Sequence, residues 1–299
     1  MRAVDHPLQG FPHPSRYTEI GGVRLAYLDL EPEGAGDAGP PVWFMHGEPT
    51  WSYLWREVIG PVRAAGHRCI APDLAGFGRS DKPEDLEWYT YDRHTELMGA
   101  LLEQLDLHDL TMVVHDWGGP IGLRLAVQHP DRIARLVILD TGLFTGEQRM
   151  TDNWLRFRDF VRRTEDLPIS FLVDGATLRA LGDEEKAAYD APFETPASKA
   201  GARAFPLILP TDPSMPGAEA GRRVLDAMRA DTRPKLVLWA DQDPVLPLEG
   251  GRAFAKALGA PEPEVIAGAA HFLQEDAGAA IGQRIAAWLG DARPGGAGA

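Results

Sequence analysis

The sequence predicts an α/β fold: a mostly parallel sheet with helices on both faces and one helical insertion. Short apolar runs alternate with longer stretches of helical period along most of the chain, which is the rhythm of β-α-β units whose strands are buried on both faces. That rhythm breaks between about residues 144 and 232, a region rich in Arg, Asp, Phe and Pro with no clear buried strand. One junction, Val114-His115-Asp116-Trp117-Gly118-Gly119-Pro120, passes from an apolar run to a helical pattern through a charged residue and two glycines, so the chain turns sharply there.

In chain order, strands are expected at residues 23–28, 42–45, 68–71, 110–114, 136–139, 235–239 and 264–266, each a short apolar or β-branched run. Helical patterns fall between them at 91–105, 119–129, 248–258 and 277–289. Within the insertion, residues 152–162 and 183–189 are amphipathic, and Pro210-Thr211-Asp212-Pro213-Ser214-Met215-Pro216-Gly217 carries the densest turn signal. No internal repeat is evident. The expected division is a first part of the core at 1–143, a helical cap at 144–232 and a second part of the core at 233–299, with 294–299 disordered.

The 299 residues carry 30 Lys and Arg against 44 Asp and Glu, a net charge of -14. An acidic surplus spread along the chain argues against nucleic acid or an anionic membrane as a partner. The single cysteine, Cys69 in Arg68-Cys69-Ile70-Ala71, excludes an intrachain disulfide and a cysteine-based metal cluster. No histidines stand at metal-ligand spacing, so no metal is expected. No apolar run reaches the length of a membrane span or a secretory leader; a cytoplasmic protein is expected.

The junction at Asp116 has the layout of a nucleophile elbow, the strand-to-helix turn of α/β-hydrolases. Its usual residue is serine. An aspartate there can displace a leaving group from an sp³ carbon and form an ester that a second step hydrolyses. The N-terminal end of the following helix favours the ionised carboxylate, and Pro120 suits the first helical turn. A simple N-cap would not require Trp117-Gly118-Gly119. One departure from the elbow pattern is Val114, where a small residue is usual.

His46-Gly47-Glu48-Pro49-Thr50-Trp51 follows the run at 42–45, where this fold takes one backbone N–H of its oxyanion hole. Glu48 and Trp117 are thus the expected backbone donors. The order nucleophile, acid, base makes His271, in Ala270-His271-Phe272, the candidate base. Asp243, in Asp241-Gln242-Asp243-Pro244, is the favoured acid, with Asp140 after the run at 136–139 as the alternative.

Taken in order, His46-Gly47-Glu48-Pro49-Thr50-Trp51-Ser52-Tyr53, Asp73-Leu74-Ala75-Gly76-Phe77-Gly78-Arg79-Ser80, His115-Asp116-Trp117-Gly118-Gly119, Asp243-Pro244-Val245 and Ala270-His271-Phe272-Leu273-Gln274-Glu275 resemble the haloalkane dehalogenases. The likeness is to the subfamily with Glu after His-Gly and the acid after the later strand, and Ala188-Tyr189-Asp190-Ala191-Pro192-Phe193 and Phe205-Pro206 extend it into the insertion. The resemblance implies that Asp116 attacks a halogen-bearing carbon, that His271 oriented by Asp243 activates water against the ester, and that no cofactor is needed. Small halogenated substrate, water and halide ion would be the partners.

A departing halide in an apolar cavity needs weak, fixed donors, and indole N–H groups serve. Trp117 is one by position. In the resembling subfamily the other is a cap tryptophan, and Trp154 is the only tryptophan of the insertion. An ungapped alignment would place Phe157 there, but Phe cannot donate. Epoxide hydrolases share the elbow and His-Gly-x-Pro yet use cap tyrosines, typically two, where the insertion has only Tyr189. A non-catalytic binding protein of the same fold is the remaining alternative.

Overall fold

The computed structural model describes residues 8, 10–33 and 38–291; the expected disorder at 294–299 lies outside them. One 8-stranded sheet forms the centre: β1 (Arg16–Ile20), β2 (Val23–Leu30), β3 (Gly39–Met45), β4 (His67–Pro72), β5 (Leu110–His115), β6 (Ile133–Leu139), β7 (Lys235–Ala240) and β8 (Glu264–Ile266). Their spatial order is β1-β2-β4-β3-β5-β6-β7-β8. The pairs β1–β2 and β2–β4 are antiparallel; every other pair is parallel. The central β5 is buried at every position, as expected of a strand covered on both faces.

Helices α1 (Arg56–Ala64), α2 (Tyr91–Gln104) and α3 (Gly118–Gln128) follow β3, β4 and β5. Five more, α4 (Asp152–Arg163), α5 (Ile169–Asp174), α6 (Asp183–Asp190), α7 (Ala200–Ile208) and α8 (Ala218–Arg229), lie between β6 and β7. Helix α9 (Leu248–Ala257) joins β7 to β8, and α10 (Leu273–Asp291), kinked at Ala277, closes the described chain. Among the described residues no helix is long and apolar enough to cross a membrane.

Two elements depart from expectation. Strand β1 reads Arg-Tyr-Thr-Glu-Ile and is mostly exposed; an edge strand needs a partner, here β2, more than an apolar face. Helix α1 contains Pro61, which breaks a helical pattern on paper. It forms because Val58, Ile59 and Val62 are buried, and because α10 packs closely on it: a Cβ on Gly282 would stand 2.4 Å from the Val58 carbonyl oxygen.

Register brings the functional candidates together. Met45 pairs with Val114, Val114 with Ile138 and Ile138 with Val237, so the carboxyl ends of β3, β5, β6 and β7 come level. Open α/β sheets place their ligand sites along such an edge.

Candidate active site

Asp116 follows β5 directly and takes a left-handed backbone, φ 49°, which non-glycine residues adopt only where the surroundings hold them. Those surroundings are specific. The Asp116 N–H donates to the Asp140 carbonyl at 3.2 Å, and the Thr141 hydroxyl donates to the Asp116 carbonyl at 2.5 Å. A Cβ on Gly118 would lie 2.2 Å from the Met45 carbonyl oxygen, and one on Gly119 1.8 Å from Thr141 Oγ1. Both glycines are therefore required. The bulk of Val114 is accommodated across the strand–helix contact, where a Cβ on Gly122 would meet Val114 Cγ1 at 2.5 Å.

The loop after β3 is fixed by His46. Its Nδ1–H donates to the Gly47 carbonyl at 2.8 Å, and its Nε2 accepts from the Leu74 N–H at 2.9 Å. Asp73 braces the same loop, accepting from the Ser52 and Arg79 N–H groups at 2.8 Å each. So held, the Glu48 N–H donates to Asp116 Oδ1 at 2.8 Å. The Trp117 backbone N–H also hydrogen-bonds the Asp116 carboxylate. Gly47 permits the approach, since a Cβ there would stand 2.1 Å from Asp116 Oδ1.

On the other side, His271 Nε2 faces Asp116 Oδ2 at 3.5 Å, and its Nδ1 is 2.8 Å from Asp243 Oδ2. Asp243 Oδ1 accepts from the Val245 and Leu246 N–H groups at 2.6 and 2.9 Å. Asp140 lies one carboxyl further back: it hydrogen-bonds Asp243 and accepts from the Ala240 N–H. Burial and the Asp243 charge push Asp140 well above the carboxylate range, so it is a neutral acid donating to Asp243. Of the two acid candidates, only Asp243 is bonded to His271 among the described residues.

Charge in this row is shared. Burial would lower the His271 imidazole, but the Asp243 charge, the hydrogen bonds to both aspartates and the Asp116 charge hold it well above its ordinary value. Burial would likewise raise Asp116, yet the hydrogen bond and charge of His271 keep it below the carboxylate range. Asp243 is lowered in the same way, by His271 against its own burial.

Sequence reasoning gave His115 no role. Its Nε2–H donates to the His271 carbonyl at 2.8 Å, while burial depresses it to about 3. The neutral ring thus anchors the loop that carries His271. The only signal was its place in His-Asp-Trp.

A cavity of about 320 Å³ opens over Asp116 and His271, with Glu48, Trp117 and Trp154 in its wall. A smaller adjoining cavity is also lined by both tryptophans, whereas Phe157 borders only the larger one. Among the described residues no hydrogen bond joins either indole N–H to the protein, and both residues are buried. Glu48 Oε1 is likewise buried and unpartnered. Burial and the Asp116 charge push that carboxyl well above the carboxylate range.

The apolar residues Phe171, Pro206, Leu209 and Val245 line the large cavity. Phe205 is instead packed edge-on behind Trp117 at 5.0 Å, and Phe160 is exposed on the outside of α4. The insertion tyrosine, Tyr189, is fully buried with its hydroxyl donated to Glu275, away from the cavity wall.

A model of the alpha/beta hydrolase fold matches residues 40–278. The chain is 42% identical over 283 residues to haloalkane dehalogenase 1 of Mycobacterium tuberculosis, covering 94% of each chain. It is 40% identical over 287 residues to a haloalkane dehalogenase of Mycolicibacterium paratuberculosis, again covering 94% of each. Among solved structures it is similar to the tetrameric haloalkane dehalogenase DpaA of Paraglaciecola agarilytica, with a TM-score of 0.86 and 32% identity over 95% of this chain and 96% of that one. With the aspartate elbow at the centre of such a site, the chain belongs to the haloalkane dehalogenases of the α/β-hydrolase fold.

Proposed function

We propose that the protein hydrolyses small haloalkanes to alcohol and halide through an ester on Asp116, with residues 144–232 as the cap over a core of 1–143 and 233–299. The observation that carries the reading is the different fate of the two Asp116 oxygens. Oδ1 is held by the Glu48 N–H at 2.8 Å, while Oδ2 faces His271 and the cavity.

Oδ2 attacks the halogen-bearing carbon from behind; the carbon–oxygen bond forms as the carbon–halogen bond breaks with its electron pair. The indole N–H groups of Trp117 and Trp154, without a protein partner among the described residues, receive the halide. The ester carbonyl is then Oδ1, already against its donors, so the oxyanion of the next step develops where the backbone is preorganised. His271 Nε2 takes a proton from a water that attacks the ester carbon, and Asp243 holds the ring through Nδ1. Collapse of the intermediate breaks the bond to Oδ2, and the alcohol leaves with the proton from His271. The alcohol thus carries away an Asp116 oxygen, and the water oxygen replaces it.

Asp243 fits the acid role by its contact with His271, and Asp140 supports it by donating to Asp243. The position of Tyr189 speaks against epoxide hydrolysis, because its hydroxyl is committed to Glu275 and does not line the cavity. A cavity of about 320 Å³ lies at the small end of ligand pockets and suits chains of a few carbons.

The test is halide release from 1,2-dibromoethane, 1-bromobutane and 1-chlorobutane, with Asp116→Asn as control and styrene oxide alongside. Bromide release abolished by the substitution is expected. Diol from styrene oxide without halide release would replace the reading by epoxide hydrolysis.

A further inference from the structure

Two motifs are left unexplained by this chemistry: Tyr189 with its neighbours in the insertion, and the Glu275-Asp276 pair just after His271. The fold brings them together. The fully buried Glu275 carboxylate receives the Arg56 guanidinium through two hydrogen bonds, the Arg179 guanidinium and the Tyr189 hydroxyl. Arg179 also donates through Nε to the Glu275 carbonyl at 2.6 Å and grips Glu185 through both terminal nitrogens at 2.8 and 2.7 Å. The Arg179 ion pair draws Glu185 down to about 2. Tyr53 completes the cluster, with the Arg56 guanidinium 4.1 Å above its ring and Tyr189 edge-on at 5.3 Å.

Asp276 makes a second bridge. One carboxylate accepts from the N–H groups of Leu178 and Arg179 in the insertion, at 3.0 and 2.9 Å, and from the N–H of Ala270, the residue before His271, at 2.9 Å. A third bridge runs from the Phe272 N–H to the Ala176 carbonyl at 3.1 Å. His271 therefore stands between two residues whose amides are tied to the segment 176–179. Ala176, where that segment begins, lines the cavity, as does Gly175 just before it.

Resting on the mechanism above, we propose that Glu275 and Asp276 are positioning residues that clamp the His271 loop to the insertion, so that the cavity wall and the base move as one body. Buried ion networks contribute little net stability against an apolar packing of equal volume, because desolvation offsets their attraction. What such a network supplies here is geometry. Among the described residues none of these bonds reaches Asp116 or Glu48, which are held by β5, α3 and the loop fixed by His46. Loosening the clamp should therefore slow the step that needs His271 and spare the attack by Asp116, which does not use it.

The experiment uses Tyr189→Phe, which keeps the ring and removes one bond, and Asp276→Asn, which weakens three acceptor contacts. Glu275→Gln is the harsher variant, since it leaves Arg56 buried without its principal counter-charge. With 1,2-dibromoethane in rapid mixing, the bromide burst should keep its wild-type rate while alcohol formation falls roughly 10- to 100-fold. The alkyl-enzyme should then accumulate as an added mass on the intact protein. A fall in burst and hydrolysis together, or no change in either, overturns the proposal. Amide hydrogen exchange supplies a readout independent of activity: protection should drop jointly at Ala270, Phe272, Leu178 and Arg179. Loss on the insertion side alone would also overturn the clamp. If the wild type releases no halide from any substrate, the mechanism fails, and the exchange pattern still decides whether the clamp exists.

Discussion

At the residue scale, the row Asp116–His271–Asp243–Asp140 holds its protons unevenly, and the consequence is a pH signature. Asp116 sits below the ordinary carboxylate range of about 3.9. It stays ionised, and alkylation should persist, as pH falls through that range; the burst fades only through the lowered value. His271 is raised in the free enzyme, partly by the Asp116 charge. Once Asp116 is an ester that charge is gone, so the imidazole loses affinity for its proton at the point where it must act as base. The hydrolytic step should accordingly rise with pH where the burst is flat, which stopped-flow measurement of each step would check. Replacing the base by His271→Gln should leave one halide released per site and slow hydrolysis by about 10²- to 10⁴-fold. His94 offers a test of stability. Both its ring nitrogens are buried and unpartnered, and burial lowers it from 6.5 to about 3. A histidine kept neutral in this way contributes fully above 6.5, and that contribution is lost as pH falls toward 3. It stacks with Tyr89 and meets Phe205 edge-on, so His94→Phe should stabilise by about 1–3 kcal/mol and flatten the acid limb of a thermal melt.

At the scale of elements, the strand–turn–helix β5-Asp116-α3 works because its neighbours leave no room for side chains. Gly118→Ala would drive a Cβ to 2.2 Å from a backbone carbonyl of β3, which cannot rotate away. A loss of about 1–3 kcal/mol and a clear drop in halide release are expected, read by melting and by the assay. This element was legible in the sequence because its constraints are local: an aspartate, two glycines and a proline within five positions. Strand β1 was not, since an exposed edge shows little of the alternation that marks a half-buried strand. Nor was α1, where tertiary packing on α10 overrides Pro61. Motif position favoured Asp243 over Asp140 as the acid but left Asp140 open. Their roles differ only in which of them reaches His271, a relation between strand ends rather than between neighbours in sequence. The Tyr189–Glu275 bond spans 86 positions, so both motifs were visible in the sequence and their meeting was not.

At the scale of the whole molecule, chemistry and enclosure come from different parts of the chain. The β strands present Asp116, Asp243 and His271 at one edge, while α4, α5 and α7 supply Trp154, Phe171 and Pro206 to the cavity wall. Trp154→Phe should therefore weaken halide binding and slow halide formation by roughly 10-fold, the effect of losing about 1.4 kcal/mol of hydrogen bonding. The fold of the core should be untouched, and intrinsic fluorescence titrated with bromide would measure the change. Because β6 and β7 are paired neighbours, the five helices leave the sheet and return to it at adjacent points. Such a segment can be exchanged as a cassette, like a long loop between anchored ends. A chimera built at those two points alone, however, would part Arg179 and Tyr189 from Glu275 beyond β8 and Glu185 from Arg56 on α1. A transplanted lid would have to travel with the turn that follows the histidine.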